Sequence, residues 1–113
     1  MIKIVPANRQ HIESLYKELP GPSLRAVAVL DGDRVIGVGG TFLLAGVRIV
    51  FANMTDELRH QHKRSLVKAY RAVKEMFGEK VFAQCDHRIP KAAEFLKHLG
   101  FEKVNEDFYV WTR

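Results

Sequence analysis

Six cations, Arg59, Lys63, Arg64, Lys68, Arg71 and Lys74, occur between positions 59 and 74, a stretch without Asp or Glu. At helical spacing 64, 68 and 71 share a face, and 59 and 63 stack near the start. Cations at a helix N-terminus oppose the dipole and invite an anion. A phosphate-bearing ligand, a nucleic-acid backbone and a solvated helix face all fit the charge run. No aromatic interleaving or nucleic-acid motif accompanies it, which argues against base readout and makes nucleic acid the least expected partner. His60 and His62 carry metal-ligand types, but at i, i+2 on a helix they point about 200° apart. No Cys or acidic ligand lies beside them, so no metal site is assigned. Cys85, Asp86 and His87 are the residue types of a nucleophilic triad. On a strand, 85 and 87 share a face roughly 7 Å apart, too far for proton transfer. Cys85 reads instead as a buried strand end. Asp86 and His87 fall where a strand ends, the position at which open sheets bind ligands.

The elements that must position these groups follow from periodicity. Positions 2–5 alternate as a short strand. Asn8 caps a helix carrying Ile12, Leu15, Tyr16 and Leu19, which Pro20-Gly21-Pro22 stops. Strands are expected at 25–30 and 34–38, joined by Asp31-Gly32-Asp33. Gly39-Gly40 interrupts the second strand at a bulge or close backbone approach before 41–44. Ala45-Gly46 turns the chain into 47–52, completing an antiparallel meander. Leu58, Leu66, Ala69, Tyr70, Val73 and Phe77 predict one helix of roughly 30 Å, capped by Thr55 or Asp56 and stopped by Gly78. A strand at 80–85 must then lie parallel to its predecessor through a right-handed crossover. Pro90 opens another helix, lined by Ala92, Ala93, Phe95, Leu96 and Leu99, with a Schellman stop at Gly100-Phe101. A last strand covers 108–112, with Phe108 and Trp111 packing the core or an interface. The expected fold is α/β, a mixed sheet in the order β-α-β-β-β-α-β-α-β with one central parallel pair.

Length and composition bound the function. At 113 residues the chain is one expected domain, 1–113, which excludes separate cofactor and substrate modules. A single Cys excludes an internal disulfide and suits a reducing compartment. No apolar run approaches a membrane span, and positions 1–5 lack a secretory h-region. The expected setting is cytoplasmic, without a membrane partner. Eighteen Lys plus Arg against 13 Asp plus Glu give +5, consistent with an anionic partner.

The element order, with the ending Lys91-Ala92-Ala93-Glu94-Phe95-Leu96-Lys97-His98-Leu99-Gly100-Phe101, resembles the GNAT family (GCN5-related N-acetyltransferases). The resemblance implies an acetyl-CoA cosubstrate inserted where the parallel strands splay. Pantetheine would pair along 47–53, with Phe51, Ala52 and Asn53 nearest the thioester. The diphosphate would meet Arg59, His60, Gln61, His62, Lys63 and Arg64, which makes CoA the favoured ligand of the basic stretch. Asn53 would bond the acetyl carbonyl or cap the following turn. Asp86 or His87 would serve as base, and Tyr70 or Tyr109 as proton donor to the thiolate.

The chain departs from the family's pattern. Its loop reads Arg/Gln-x-x-Gly-x-Gly/Ala, whereas Gln61 and Lys63 stand near the glycine positions, and no Gly occurs between Gly46 and Gly78. The family's thiolate-protonating Tyr falls at Leu96, and its Asn near Ile89. Met54-Thr55-Asp56-Glu57-Leu58 and the basic helix look like the glycine-poor GNAT-like internal virion or assembly proteins of T7-like phages. That narrower resemblance implies phage or prophage origin, phage virion proteins as partners, and a fold whose activity need not survive. The closing strand 108–112 offers an edge for homodimer pairing. The amine acceptor is not encoded in any motif.

Overall fold

The computed structural model describes residues 1–16, 24–85 and 92–113. Its elements are β1 (Ile2–Pro6), α1 (Arg9–Glu13), β2 (Arg25–Asp31), β3 (Arg34–Leu44), β4 (Val47–Met54), α2 (Asp56–Gln61) and α3 (Lys63–Lys74). They continue as β5 (Lys80–Gln84), α4 (Ala92–His98), β6 (Glu102–Lys103) and β7 (Phe108–Thr112). The seven strands form one sheet in the order β1-β2-β3-β4-β5-β7-β6. Among the described strands only β4 and β5 run parallel; every other neighbouring pair is antiparallel. The mixed α/β architecture with its central parallel pair is as the periodicity predicts.

Alternation along β2 divides the core between the two faces of the sheet. Ala28 points to the face covered by α1, where Ile12 and Val38 are buried with it. Val27 and Val29 point to the other face. There Val29 meets Ile36, Leu58 and Ala69, and Val27 joins Val73, Phe77, Val81 and Phe101.

Several boundaries differ from the sequence reading. Gly39-Gly40 does not interrupt β3, which runs unbroken through eleven residues. The register shift lies earlier, where Val29↔Gly37 gives way to Leu30↔Val35. The extra residue, Ile36, sends its side chain into the buried core, and its carbonyl accepts bonds from the Thr55 N–H at 3.0 Å and the Thr55 hydroxyl at 3.3 Å. This bulge therefore fixes where β4 ends and α2 begins. Gly40 does make the expected close approach: a Cβ there would stand 1.9 Å from the Arg25 carbonyl oxygen.

The single long helix is two. Its chain breaks at His62 (φ −130°, ψ 50°), which ends α2 and precedes α3. Apolar spacing carries through the break, so periodicity alone does not register it. A short strand, β6, was also not expected; it pairs with β7 at Glu102↔Val110 and Lys103↔Tyr109. The sheet edges are therefore β1 and β6, and β7 offers no fully open edge for a homodimer. Tyr109, in β7, is buried.

Local signals at the helix ends behave as their chemistry dictates. Asn8 and His11 form a reciprocal capping box on α1. Helix α1 is short, with Leu15 and Tyr16 beyond its end, and Leu19 and Pro20-Gly21-Pro22 lie outside the described residues. The stop after α4 is a Schellman motif, with Phe101 N–H on the Leu96 carbonyl, Gly100 N–H on that of Lys97, and Gly100 at φ +97°. Pro90, the expected start of this helix, lies outside the described residues.

Candidate functional site

The central feature is the short ladder between the two parallel strands, whose far end is the candidate gap. Their ladder consists of Ile49↔Phe82 and Val50↔Ala83. Beyond it β4 stays paired to β3 as far as Gly37↔Met54, while β5 turns its pairing to β7 through Gln84↔Phe108. Among the described residues, positions 51–54 thus have a strand partner on one side only. Backbone N–H and C=O groups on such an edge require a partner, from water or from an extended ligand. Ala52 and Asn53 are exposed along it.

The side chains expected here divide by face. The Phe51 ring packs with the α1-side core, edge-on to Tyr16 at 5.7 Å and tilted against Phe42 at 6.0 Å. Phe51 therefore contributes its backbone to the edge, and its ring to the wall behind. Asn53 neither caps α2 nor points free: its Nδ2 donates to the Leu15 carbonyl at 3.0 Å, tying β4 to the end of α1. The cap is Thr55, whose hydroxyl accepts from Leu58 N–H. Tyr16, assigned by its spacing only to a helix core face, instead lies beside the splayed strand. Burial pushes its phenol up to about 12, so it stays protonated and able to donate at neutral pH.

The basic segment is not one surface. Arg59 is paired with Asp56, and both are on α2. His60 and Gln61 are exposed, His62 is half-buried at the break, and Lys63 and Arg64 stand exposed on the first turn of α3. No side chain caps that turn, so its leading N–H groups are left for an external acceptor. By contrast, the first turn of α2, which directly follows the splayed strand, carries Asp56 and Glu57. An anion arriving from the gap meets acids first and cations one helix later.

Those acids are engaged. Arg34 grips both Glu57 oxygens, at 2.6 and 2.9 Å, and reaches Asp31 at 3.2 Å. His62 Nε2 lies 3.8 Å from Glu57, and the N-terminal ammonium 3.6 Å from Asp31. His62 thus has acidic neighbours that its spacing did not reveal, since Asp31 comes from the end of β2. Asp31, Glu57 and His62 could converge on a cation, their ligand atoms lying within 4.8 Å of one another. The Arg34 guanidinium already fills the charge role among them.

The bidentate bond from Arg34 holds the Glu57 carboxyl below its ordinary value of 4.5. The carboxylate's stabilising contribution is therefore complete above that ordinary value and is lost as pH falls through the lower, folded one. We expect urea midpoints of the wild type to drop as pH is lowered below about 4.5, and Glu57→Gln to flatten that drop. An unchanged pH profile in the variant would show that the pair does not link α2 to the sheet.

The remaining candidates separate. The Tyr70 hydroxyl donates to the Leu99 carbonyl at 3.2 Å, bridging α3 and α4, and burial raises its pKa. Tyr109 is buried in β7 opposite Ala83. Both are built into the core rather than aimed at the gap. Cys85 is buried, as expected for a strand end, with its N–H on the Asp107 carbonyl. Asp86 and His87 lie outside the described residues.

No protein-family model and no curated sequence matches the chain. Its backbone does match solved structures. A GNAT-family acetyltransferase from Staphylococcus aureus Mu50 superposes with a TM-score of 0.67 over 99% of each chain, at 14% identity. The ribosomal-protein-S18-alanine N-acetyltransferase of Escherichia coli gives 0.66 over 97% of this chain and 91% of its own, at 13% identity. The chain has the GNAT acetyltransferase fold. No helix among the described residues is long and apolar enough to cross a membrane.

Proposed function

We propose that the chain binds acetyl-CoA in the gap between β4 and β5 and works as an N-acetyltransferase. The observation that carries this reading is the end of the described parallel ladder at Val50↔Ala83, beyond which positions 51–54 have, among the described residues, only β3 as a strand partner. Pantetheine amides suit that edge, because they present the same donors and acceptors as a peptide strand. Lys63 and Arg64, with the uncapped first turn of α3, suit the diphosphate, side-chain charge taking the place of a glycine-lined cradle. His60 and Gln61 lie exposed beside them. Acetyl-CoA would supply the acetyl group as an activated thioester. A neutral amine attacks the carbonyl carbon, the amine gives up a proton, and the thiolate leaves and gains one. Edge N–H groups would polarise the carbonyl, and holding the amine against it supplies the entropic advantage. Asp86 or His87, which follow β5 in the sequence, is our choice of base.

A second reading is a catalytically silent member of the fold that retains a binding or assembly role, including the phage virion role implied by the sequence resemblance. It is favoured by the engagement of Tyr70 and Tyr109 in the core, and by Leu96 at the position of the family's donor tyrosine.

A thermal-shift titration with acetyl-CoA and with CoA tests the binding step. Ligand at 100 times its dissociation constant would add about 2.7 kcal/mol. Lys63→Ala with Arg64→Ala is expected to remove most of the shift. No shift at millimolar ligand would overturn the cofactor reading. Thiol release upon adding amines then separates the two readings: turnover favours the enzyme, and binding without turnover the silent protein.

A further inference from the structure

We propose that the solvent face of α3 binds the phosphate backbone of nucleic acid, independently of sequence, through a row that starts at the Lys63 and Arg64 assigned above to the diphosphate and continues beyond them along Lys68, Arg71 and Lys74. At 100° per residue, Lys63, Arg64, Lys68, Arg71 and Lys74 fall within an arc of about 140°, opposite the buried Ala69 and Val73. All five are exposed, and among the described residues none makes an ion pair. Lys74 makes one contact, with its Nζ over the Trp111 ring at 5.6 Å. Acids return only beyond the helix, at Glu75 and Glu79.

This arrangement works against the helix that carries it. Arg64 and Lys68 at i, i+4, and Lys68, Arg71 and Lys74 at successive i, i+3 steps, repel one another. Lys63 and Arg64 oppose the dipole at the N-terminus. A bound polyanion removes both penalties. From Arg64 to Lys74 the row extends about 15 Å, a length over which duplex DNA presents about nine phosphate charges. A protein partner would ordinarily be anchored by buried apolar or aromatic side chains. On this arc the large apolar side chain is Val67, 48% exposed between the cations. With no aromatic on the arc to stack a base, the contact is to the backbone.

The test is fluorescence anisotropy with a labelled random-sequence duplex of about 20 base pairs, titrated from about 50 to 200 mM salt. Binding is expected to weaken steeply, with a log–log slope near −3 to −4 if four phosphates are neutralised. Lys68→Glu with Arg71→Glu should lower affinity about tenfold or more, and the Gln pair should reduce the slope by about two. Circular dichroism confirms that each variant is folded. Both variants should keep the thermal shift with CoA, because neither residue belongs to the proposed cofactor site. Loss of that shift in a folded variant would overturn the proposal by assigning the row to the cofactor. Equal DNA binding by wild type and variants would also overturn it, as would binding to polyglutamate without binding to DNA. Failure of CoA to bind, with DNA binding intact, would remove the cofactor reading and leave this one standing.

Discussion

Phe77→Ala is expected to lower the unfolding free energy by about 3–5 kcal/mol. Phe77 is 1% exposed and stands where α3 hands the chain back to β5. Its ring meets Trp111 at 5.1 Å, Phe101 at 5.9 Å and Tyr70 at 6.2 Å, each near edge-on. Removing it leaves a cavity walled by three aromatics held on different elements, which cannot collapse together. Each such pair also contributes roughly 0.5–1.5 kcal/mol beyond area burial. The consequence reaches the site, because this cluster seats α3, the Schellman stop and β7 against β5, one wall of the gap. Urea denaturation with an unchanged slope should report the loss as a lower midpoint. A loss below about 1 kcal/mol would show that the cluster repacks and is not the keystone described here.

Gly40→Ala should be nearly as damaging, at about 3 kcal/mol or more, although it adds a single methyl group. The new Cβ would stand 1.9 Å from the Arg25 carbonyl oxygen, 2.6 Å from Ala26 Cα and 2.8 Å from Ala26 Cβ. Two of these atoms are main chain, so relief requires β2 to move. Gly40 is also the partner of Phe51, so the displacement passes into the splayed strand. Gly39→Ala is the control: its nearest contact is a Val73 methyl at 3.4 Å, and it should cost less than about 1 kcal/mol. Denaturation of both variants, with CoA titration of whatever folds, checks the argument. Equal stability of the two would sink it.

The contrast between these neighbouring glycines marks where reading the chain runs out. Gly-Gly announces that something comes close or bends, but not which residue meets what. The nearby bulge left no mark that alternation could resolve. Ile36 and Gly37 lie successively on the face covered by α2 because β2 and β3 change register there, a fact of pairing between distant segments. The break at His62 is hidden for a related reason. Leu58 and Leu66 both belong to the same buried cluster, so apolar spacing continues across a change in backbone direction. Other signals were local and therefore legible. Asn8 as a cap, and Gly100 with Phe101 as a stop, satisfy backbone groups within a few residues and are legible directly, whereas the return bond to His11 appears only in the structure.

Determined by the sequence alone were the alternation of elements, the crossover that makes β4 and β5 parallel, and the acid-free run of cations on the face of α3. Each depends on side-chain period or on the handedness of a chain segment, which short-range physics sets. The tertiary structure decided the rest. It ended the described β4–β5 ladder at Val50 and Ala83, packed the Phe51 ring into the α1-side core, and gave Asn53 to the Leu15 carbonyl. It also brought Asp31, Arg34, Glu57 and His62 together from a hairpin and a helix. Hydrogen bonds and ion pairs between segments depend on ångström-scale positions, and a residue's type and spacing do not contain those positions.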